Sequence, residues 1–386
     1  MRIVDIRERS IPISRYADPA IPSGGLTTSL VAVTTDVVRA GRPVVGYGFA
    51  SIGRFGQSGL IRERFAPRLL AAGTLANDTG TGLDPQRAWS AMMQGEKPGG
   101  HGERCVAVGT LDMAIWDAAA KIAEQPLYEY LAARLGTIAP SPTVRAYAGG
   151  GYRYPQDDTR HLSDEIMRFT DLGFTHVKIK IGACDLATDL RRAEAAVALL
   201  ADASRLAVDA MNVYGPDEAL AAARALAPLG LWWFEDVCDP LDFETWSRVA
   251  ATYPGPIASG EALFSRAEAR LLDRYGGLRR ERDILLFDPV HCYGLTHYID
   301  IVRDLTQQGW ARTAFWPHGG HLFGLHIAAG LGLGGAEINP SAFTPFRGVA
   351  SGMTIAEGRV GLPRIPGIGF ELHDEAWPAF RRLFED

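Results

Sequence analysis

Six ionisable residues recur through the second half of this chain at intervals of 26 to 30 positions: Lys180, Asp209, Glu235, Glu261, Asp288 and His318. Each closes or follows a short apolar run, as in Leu206-Ala207-Val208-Asp209, Trp232-Trp233-Phe234-Glu235, Leu285-Leu286-Phe287-Asp288 and Phe315-Trp316-Pro317-His318. An interval of that length holds one strand, one helix and their two connections, so each step is a βα unit. Apolar segments at 143–148, 176–181, 205–209, 231–235, 256–261, 283–288, 312–317 and 334–338 supply eight such strands with no linker between them. Eight uninterrupted units predict a closed parallel barrel. Asp185 is placed to cap the Ala- and Leu-rich helix that ends at Leu200, and Pro216-Asp217 to open the next.

The first third has a different texture. Residues 1–14, 28–36 and 42–51 read as strands, and helical patterns follow near 58–72, 84–93, 105–123 and 126–134. Arg104–Lys121 is the clearest, with Val108, Leu111, Ile115 and Ala119 on one stripe and Asp112 and Asp117 beside it. Strands followed by helices describe an α+β domain. A glycine-rich loop, Gln94–Glu103, precedes that helix; it is either a connector or a loop presenting Lys97 or His101 to a ligand. The tail from Gly348 is rich in Pro and Gly and ends in an aromatic helical stretch, and it is expected to fold back on the first domain. The expected organisation is 1–135 as an α+β cap, 136–347 as the barrel, and 348–386 as a segment packing on the cap.

Composition removes several classes. In a chain of 386 residues, 47% hydrophobic against 22% charged is globular, and a net charge of −6 argues against a nucleic-acid binder. Cys105, Cys184, Cys238 and Cys292 are scattered without metal-ligand spacing and read as reduced cysteines of a cytoplasmic protein. The charged stretch Met1–Arg9 lacks the apolar core of a signal peptide, and no run approaches the length of a membrane span.

One ionisable residue per unit, always at the same end, places six charges around one mouth of the barrel, the face where barrel enzymes hold their active sites. Alone, Asp209 or Glu235 reads as a helix cap or a surface acid; in register they do not. Asp209, Glu235 and Glu261 offer only oxygen ligands, which selects a hard cation such as Mg²⁺, and three close carboxylates need a cation to stay ionised together. In Val177-Lys178-Ile179-Lys180 the period of two puts both lysines on one face, so Lys178 and the metal are expected to depress the Lys180 pKa and free an amine to act as a base. Asp288 is expected to orient His318 and favour its protonated form. His321 competes for that role; His318 is preferred because it directly follows Pro317 at the strand end, whereas His321 starts the next helix. A base and an acid on opposite sides of a metal-bound substrate imply proton abstraction next to a carboxylate.

This pattern of K-x-K, Asp, Glu, Glu, Asp and His over nearly the whole chain resembles the enolase superfamily, specifically its mandelate racemase subgroup. The resemblance implies an α/β fold, a modified TIM-type (β/α)7β barrel with an α+β capping domain that the C-terminal segment completes. It implies Lys180 as base, Lys178 as its pKa modifier, Asp209, Glu235 and Glu261 as Mg²⁺ ligands, and Asp288–His318 as an acid dyad. Trp316–His321, Ala328–Gly335 and the loop around Lys97 resemble the D-tartrate dehydratase branch. That implies a hydro-lyase giving oxaloacetate, with Lys97 as a substrate contact. Glu337, at the end of the eighth expected strand, reads either as a further substrate contact or as a cap. Asn212 departs from many relatives, which place Asn two after the aspartate rather than three. The alternatives are another acid-sugar dehydratase, a racemase or epimerase of a 2-hydroxy acid, or a silent barrel that only binds a metal and a ligand. Cap loops near 15–28 and 51–60 are expected to close the mouth, offering Arg15, Tyr16 and Arg54. Relatives of this kind usually form homo-oligomers, and neither nucleic acid nor membrane is an expected partner.

Overall fold

The computed structural model describes residues 1–51, 56–136 and 140–385. The chain opens with a three-stranded antiparallel meander, β1 (Ile3–Pro12), β2 (Thr27–Arg39) and β3 (Arg42–Phe49). A helical run follows, α1 (Ser58–Leu60) passing through a wide turn into α2 (Ala66–Ala71), and then α3 (Pro85–Met93), α4 (Glu103–Ile122) and α5 (Leu127–Leu135). Asp84 caps α3 by accepting from the Gln86 amide, and Pro85 occupies its first turn, where a missing N–H costs nothing.

The expected amphipathic stripe on α4 is the part of this domain that the structure alters most. The helix is buried on nearly every face because it lies between the meander and the barrel, and Asp112 and Asp117 are buried with it. Both carboxylates are satisfied by groups distant in sequence. Asp112 accepts from the Thr296 amide at 3.1 Å and hydroxyl at 2.7 Å, and Asp117 from the amides of Tyr47 and Ile368 at 2.9 and 2.7 Å.

The barrel runs β4 (Thr143–Gly150), α6 (Asp158–Asp171), β5 (Val177–Lys180), α7 (Leu186–Leu200), β6 (Leu206–Asp209), α8 (Pro216–Leu226), β7 (Trp233–Glu235), α9 (Phe243–Thr252), β8 (Ile257–Ser259), α10 (Arg266–Tyr275), β9 (Ile284–Leu285), α11 (Leu295–Gln307), α12 (Leu322–Leu331) and β10 (Ala336–Ile338). Strands β4 to β9 pair in parallel and in chain order, and β10 pairs with β4. The anticipated seventh strand at 312–317 is reduced to a single bridge. Residues 312–314 form a tight turn, Phe315 pairs with Leu285, and Gly334 N–H donates to Phe315 O, carrying closure across to β10. Asp185 caps α7 through the Thr188 amide, as its position implies.

Side chains alternate as a parallel strand requires. Val177 and Ile179 face outward into the core under the helices, while Ala207, Trp233 and Ala258 point inward with Tyr147, Leu286 and Trp316. The inward aromatics plug the barrel, so the charges at its carboxyl-terminal mouth have an apolar floor. After β10 the chain forms a hairpin, β11 (Ile355–Ala356) and β12 (Arg359–Gly361), in which β12 pairs antiparallel with Thr143–Arg145 at the start of β4. It then reaches α13 (Ala376–Arg381) against the meander, where Trp377 and Phe380 lie 5.2 and 5.3 Å from the Tyr47 ring and Phe346 stacks on Phe49 at 3.8 Å.

Candidate active site

Strand register assembles the centre. Lys180 on β5 is paired across the ladder with Asp209 on β6, and Asp209 with Glu235 on β7. Glu261 lies just beyond β8. One carboxylate oxygen from each of Asp209, Glu235 and Glu261 lies within 4.8 Å of the others. These are three oxygen donors with no soft ligand among them, a set suited to a hard divalent cation.

Burial sets the electrostatics. Lys178 is fully buried and is held by three carboxylates, Glu235 at 2.5 Å, Glu337 at 3.2 Å and Asp209 at 3.5 Å. Burial pushes the Glu235 carboxyl up to about 8; Lys178 opposes this, and Asp209 and Glu261 reinforce it. The Trp233 indole N–H donates to its other oxygen at 2.7 Å. Asp209 lies below the carboxylate range: burial would raise it, but Lys180 and Lys178 outweigh that, and the Met211 amide donates to its second oxygen at 2.7 Å.

Lys180 departs from expectation. Burial and Lys178 both lower its pKa, but Asp209, in direct contact with the ammonium, outweighs them and holds it above the ordinary lysine value. Lys178 therefore acts in the anticipated direction but is not the dominant neighbour. The Tyr152 ring lies 5.4 Å from the Lys180 ammonium and in turn carries the Arg15 guanidinium at 5.7 Å, which brings the 15–28 loop to the mouth.

On the opposite side stands the dyad. His318 Nδ1 lies 2.9 Å from Asp288 Oδ2, and His318 Nε2 faces Glu261 Oε2 at 3.0 Å. Burial would lower the imidazole pKa; Glu261 and Asp288 overcome it and push His318 up to about 9, so the ring is held protonated as anticipated. The amides of Val290 and His291 donate to Asp288 Oδ1 at 2.7 and 3.2 Å, fixing the carboxylate plane. Glu337, in the middle of β10, is buried in the same cluster; the Lys178 and His318 charges overcome burial and lower its pKa. It is therefore part of the charged mouth rather than a helix cap.

The centre thus pairs an amine and an imidazolium across a carboxylate trio. A family model described as enolase C-terminal domain-like matches residues 161–376. The chain belongs to this family. As a member of the enolase superfamily it is an enzyme, and its relatives include an arabinonate dehydratase of Saccharolobus solfataricus, 29% identical over 73% of this chain and 74% of that one. An L-talarate/galactarate dehydratase of Salmonella typhimurium is 26% identical over 90% of this chain and 82% of its own length. Among solved structures, a racemase from Streptomyces coelicolor A3(2) with bound magnesium superposes with a TM-score of 0.76 at 23% identity, covering 99% of both chains, which shows the shared fold.

Some expected contacts of this enolase-family site are not brought together. Lys97 is exposed on the loop before α4, and no described contact links its ammonium to the cluster. The loop is nonetheless anchored near the site: Arg104 holds the Lys97 carbonyl at 2.9 Å, and both Arg104 and His101 reach the Tyr293 hydroxyl at 3.0 Å. Arg54 lies outside the described residues. Sequence reasoning also missed His291, whose Nε2 is 3.7 Å from Asp288 Oδ2 and whose Nδ1 is 3.4 Å from the Glu261 carbonyl. Its signal was its place three residues after Asp288, inside the same loop. Ser51, two residues beyond β3, donates to Asp288 at 2.9 Å and carried no sequence signal.

Proposed function

We propose that the chain is a Mg²⁺-dependent carbon–oxygen lyase that dehydrates a sugar acid to a 2-keto acid. The observation carrying this reading is the opposition of Lys180 to the Asp288–His318 dyad across three convergent carboxylates. The two curated relatives, named for arabinonate and for L-talarate/galactarate dehydration, support the substrate class.

Asp209, Glu235 and Glu261 would hold the Mg²⁺, which when bound supplies Lewis acidity to the substrate carboxylate and competes with Lys180 for the charge of Asp209. Relieved of Asp209 in this way, Lys180 gives up its own proton to solvent and, as the neutral amine, removes the proton from the carbon bearing that carboxylate. His318, charged and oriented by Asp288, gives its Nε2 proton to the departing β-hydroxyl, so that C–H and C–O bonds break, a C=C bond forms and water leaves. The resulting enol tautomerises to the 2-keto acid. Glu337 and Lys178 complete the wall that the substrate carboxylate meets. For a diacid, Arg15 and Lys97 are the cations offered to the distal end.

The narrower reading, D-tartrate to oxaloacetate, rests on loop texture around Lys97 and after His318, while the two curated relatives point to sugar acids as a class. A panel of aldonic and aldaric acids that includes the tartrate stereoisomers, assayed with semicarbazide, should yield keto acid from at least one sugar acid. Inversion of configuration without keto acid would identify a racemase instead.

A further inference from the structure

We infer that Ser51 and His321 are positioning residues for His318, through a hydrogen-bonded line His321–Ser51–Asp288–His318 that ties the cap to the barrel's acid. This rests on the reading of His318 as the acid of the dehydration. The Ser51 hydroxyl donates to Asp288 Oδ2 at 2.9 Å, the oxygen that also meets His318 Nδ1 at 2.9 Å. A hydroxyl has one proton to give. With that proton committed to the carboxylate, the Ser51 oxygen is an acceptor toward His321 Nε2, 3.3 Å away. His321 must then carry its hydrogen on Nε2, leaving Nδ1 as a bare acceptor.

The surroundings fit that tautomer. His321 is buried, its ring edge-on to Phe49 at 4.8 Å, and its Nδ1 has no hydrogen-bond partner among the described residues. A buried acceptor without a partner costs about 1–3 kcal/mol, which an apolar ring in the same space would avoid. Packing therefore does not explain a histidine here; the bond from Nε2 to Ser51 does. The junction is also kept open from below. A Cβ on Gly319 would lie 2.6 Å from His321 Nε2 and 3.1 Å from Ser51 Oγ.

The consequence is a mechanical link. Ser51 lies two residues beyond β3, in the left-handed region at φ 52°, and its hydroxyl joins this cap segment to Asp288 of the barrel. The dyad geometry thereby reports cap placement.

Three variants test this. Ser51→Gly removes the hydroxyl and tolerates the backbone angle. His321→Phe keeps the ring volume and removes the donor, and His321→Gln restores an amide N–H donor near the Nε2 position. In substrate-free protein, the low-field proton NMR resonance of His318 Nδ1–H, identified by its loss in His318→Asn, should shift or broaden in Ser51→Gly and His321→Phe and recover in His321→Gln. In turnover on a sugar acid, kcat should fall about ten- to a hundredfold in the first two with KM within about twofold, because orientation rather than binding is lost. An unmoved resonance and an unchanged kcat in both overturn the inference. Equal loss in His321→Gln and His321→Phe overturns it too, making His321 a proton carrier. A resonance that moves as expected in a protein that dehydrates no sugar acid supports the line and rejects the substrate reading instead.

Discussion

Lys180 and His318 both stand amid carboxylates, yet they are held charged by different partners, and this separates their roles experimentally. Lys180 is held by Asp209, and His318 by Glu261 and Asp288. If Lys180 takes the α-proton and His318 expels the hydroxyl, Lys180→Ala loses both dehydration and exchange of the substrate α-proton with solvent deuterium. His318→Asn loses dehydration by at least about a hundredfold, the usual worth of a positioned acid, but continues to exchange. Mass spectrometry of recovered substrate reads both reactions, and exchange persisting only in Lys180→Ala would reverse the assignment. These positions were legible in the sequence because each ends a βα unit, so spacing alone placed them at one mouth. Ser51 was not, since its partner Asp288 lies 237 residues away and nothing local marks a serine after β3 as more than a turn. The strength of Asp209 against Lys178 was equally hidden: alternation places two lysines together but does not say which carboxylate touches which ammonium.

At the scale of elements, α4 governs how the cap bears on the dyad. A Cβ on Gly109 would fall 1.9 Å from the Val290 carbonyl, so helix and loop are in backbone contact just two residues beyond Asp288. Gly109→Ala is expected to destabilise the fold by about 1–3 kcal/mol, as overpacking does, and to lower kcat by displacing Asp288. Equilibrium denaturation together with turnover checks it, and wild-type values in both would mean the contact relaxes freely. Asp112, one turn further along, makes a pH-dependent contribution. Burial pushes its carboxyl up to about 7, with the Thr296 bonds pulling the other way. The folded state then holds a proton that the unfolded chain has released, so stability falls as pH rises from about 4 to about 7. Compared with Asp112→Asn, which does not titrate, the wild type should lose up to a few kcal/mol across that window, read from melting temperatures at each pH. The buried face of α4 was misread because an Ala-rich stripe with two aspartates looks amphipathic when its Tyr47, Thr296 and Ile368 partners lie in other parts of the chain. The seventh strand was overestimated for a related reason. An apolar run next to a proline suits a strand, but closure there needs only the Phe315 bridge and the Gly334 amide.

Across the whole molecule, the barrel strands, an aromatic floor and a cap converge on one charged mouth, and the net worth of that convergence depends on a cation. Three carboxylates within 4.8 Å repel one another, and at Glu235 burial, reinforced by Asp209 and Glu261, raises the carboxyl pKa by more than Lys178 and Lys180 lower it. A ligand that binds the folded state alone stabilises it by about 2.7 kcal/mol at a hundred times its dissociation constant, so Mg²⁺ should raise the melting temperature in a concentration-dependent way. EDTA should reverse that rise and abolish keto-acid formation, and re-addition of Mg²⁺ should restore both. Glu235→Gln separates the ion from general electrostatics. It removes one ligand while replacing a carboxyl that burial already lifts to about 8, so the metal-free variant should melt close to the metal-free wild type near neutral pH while responding less to Mg²⁺. A variant that gains as much from Mg²⁺ as the wild type would show that the ion binds elsewhere. The cluster of Asp288, His291 and His318, whose ligand atoms also lie within 4.8 Å, would then be the site to examine next.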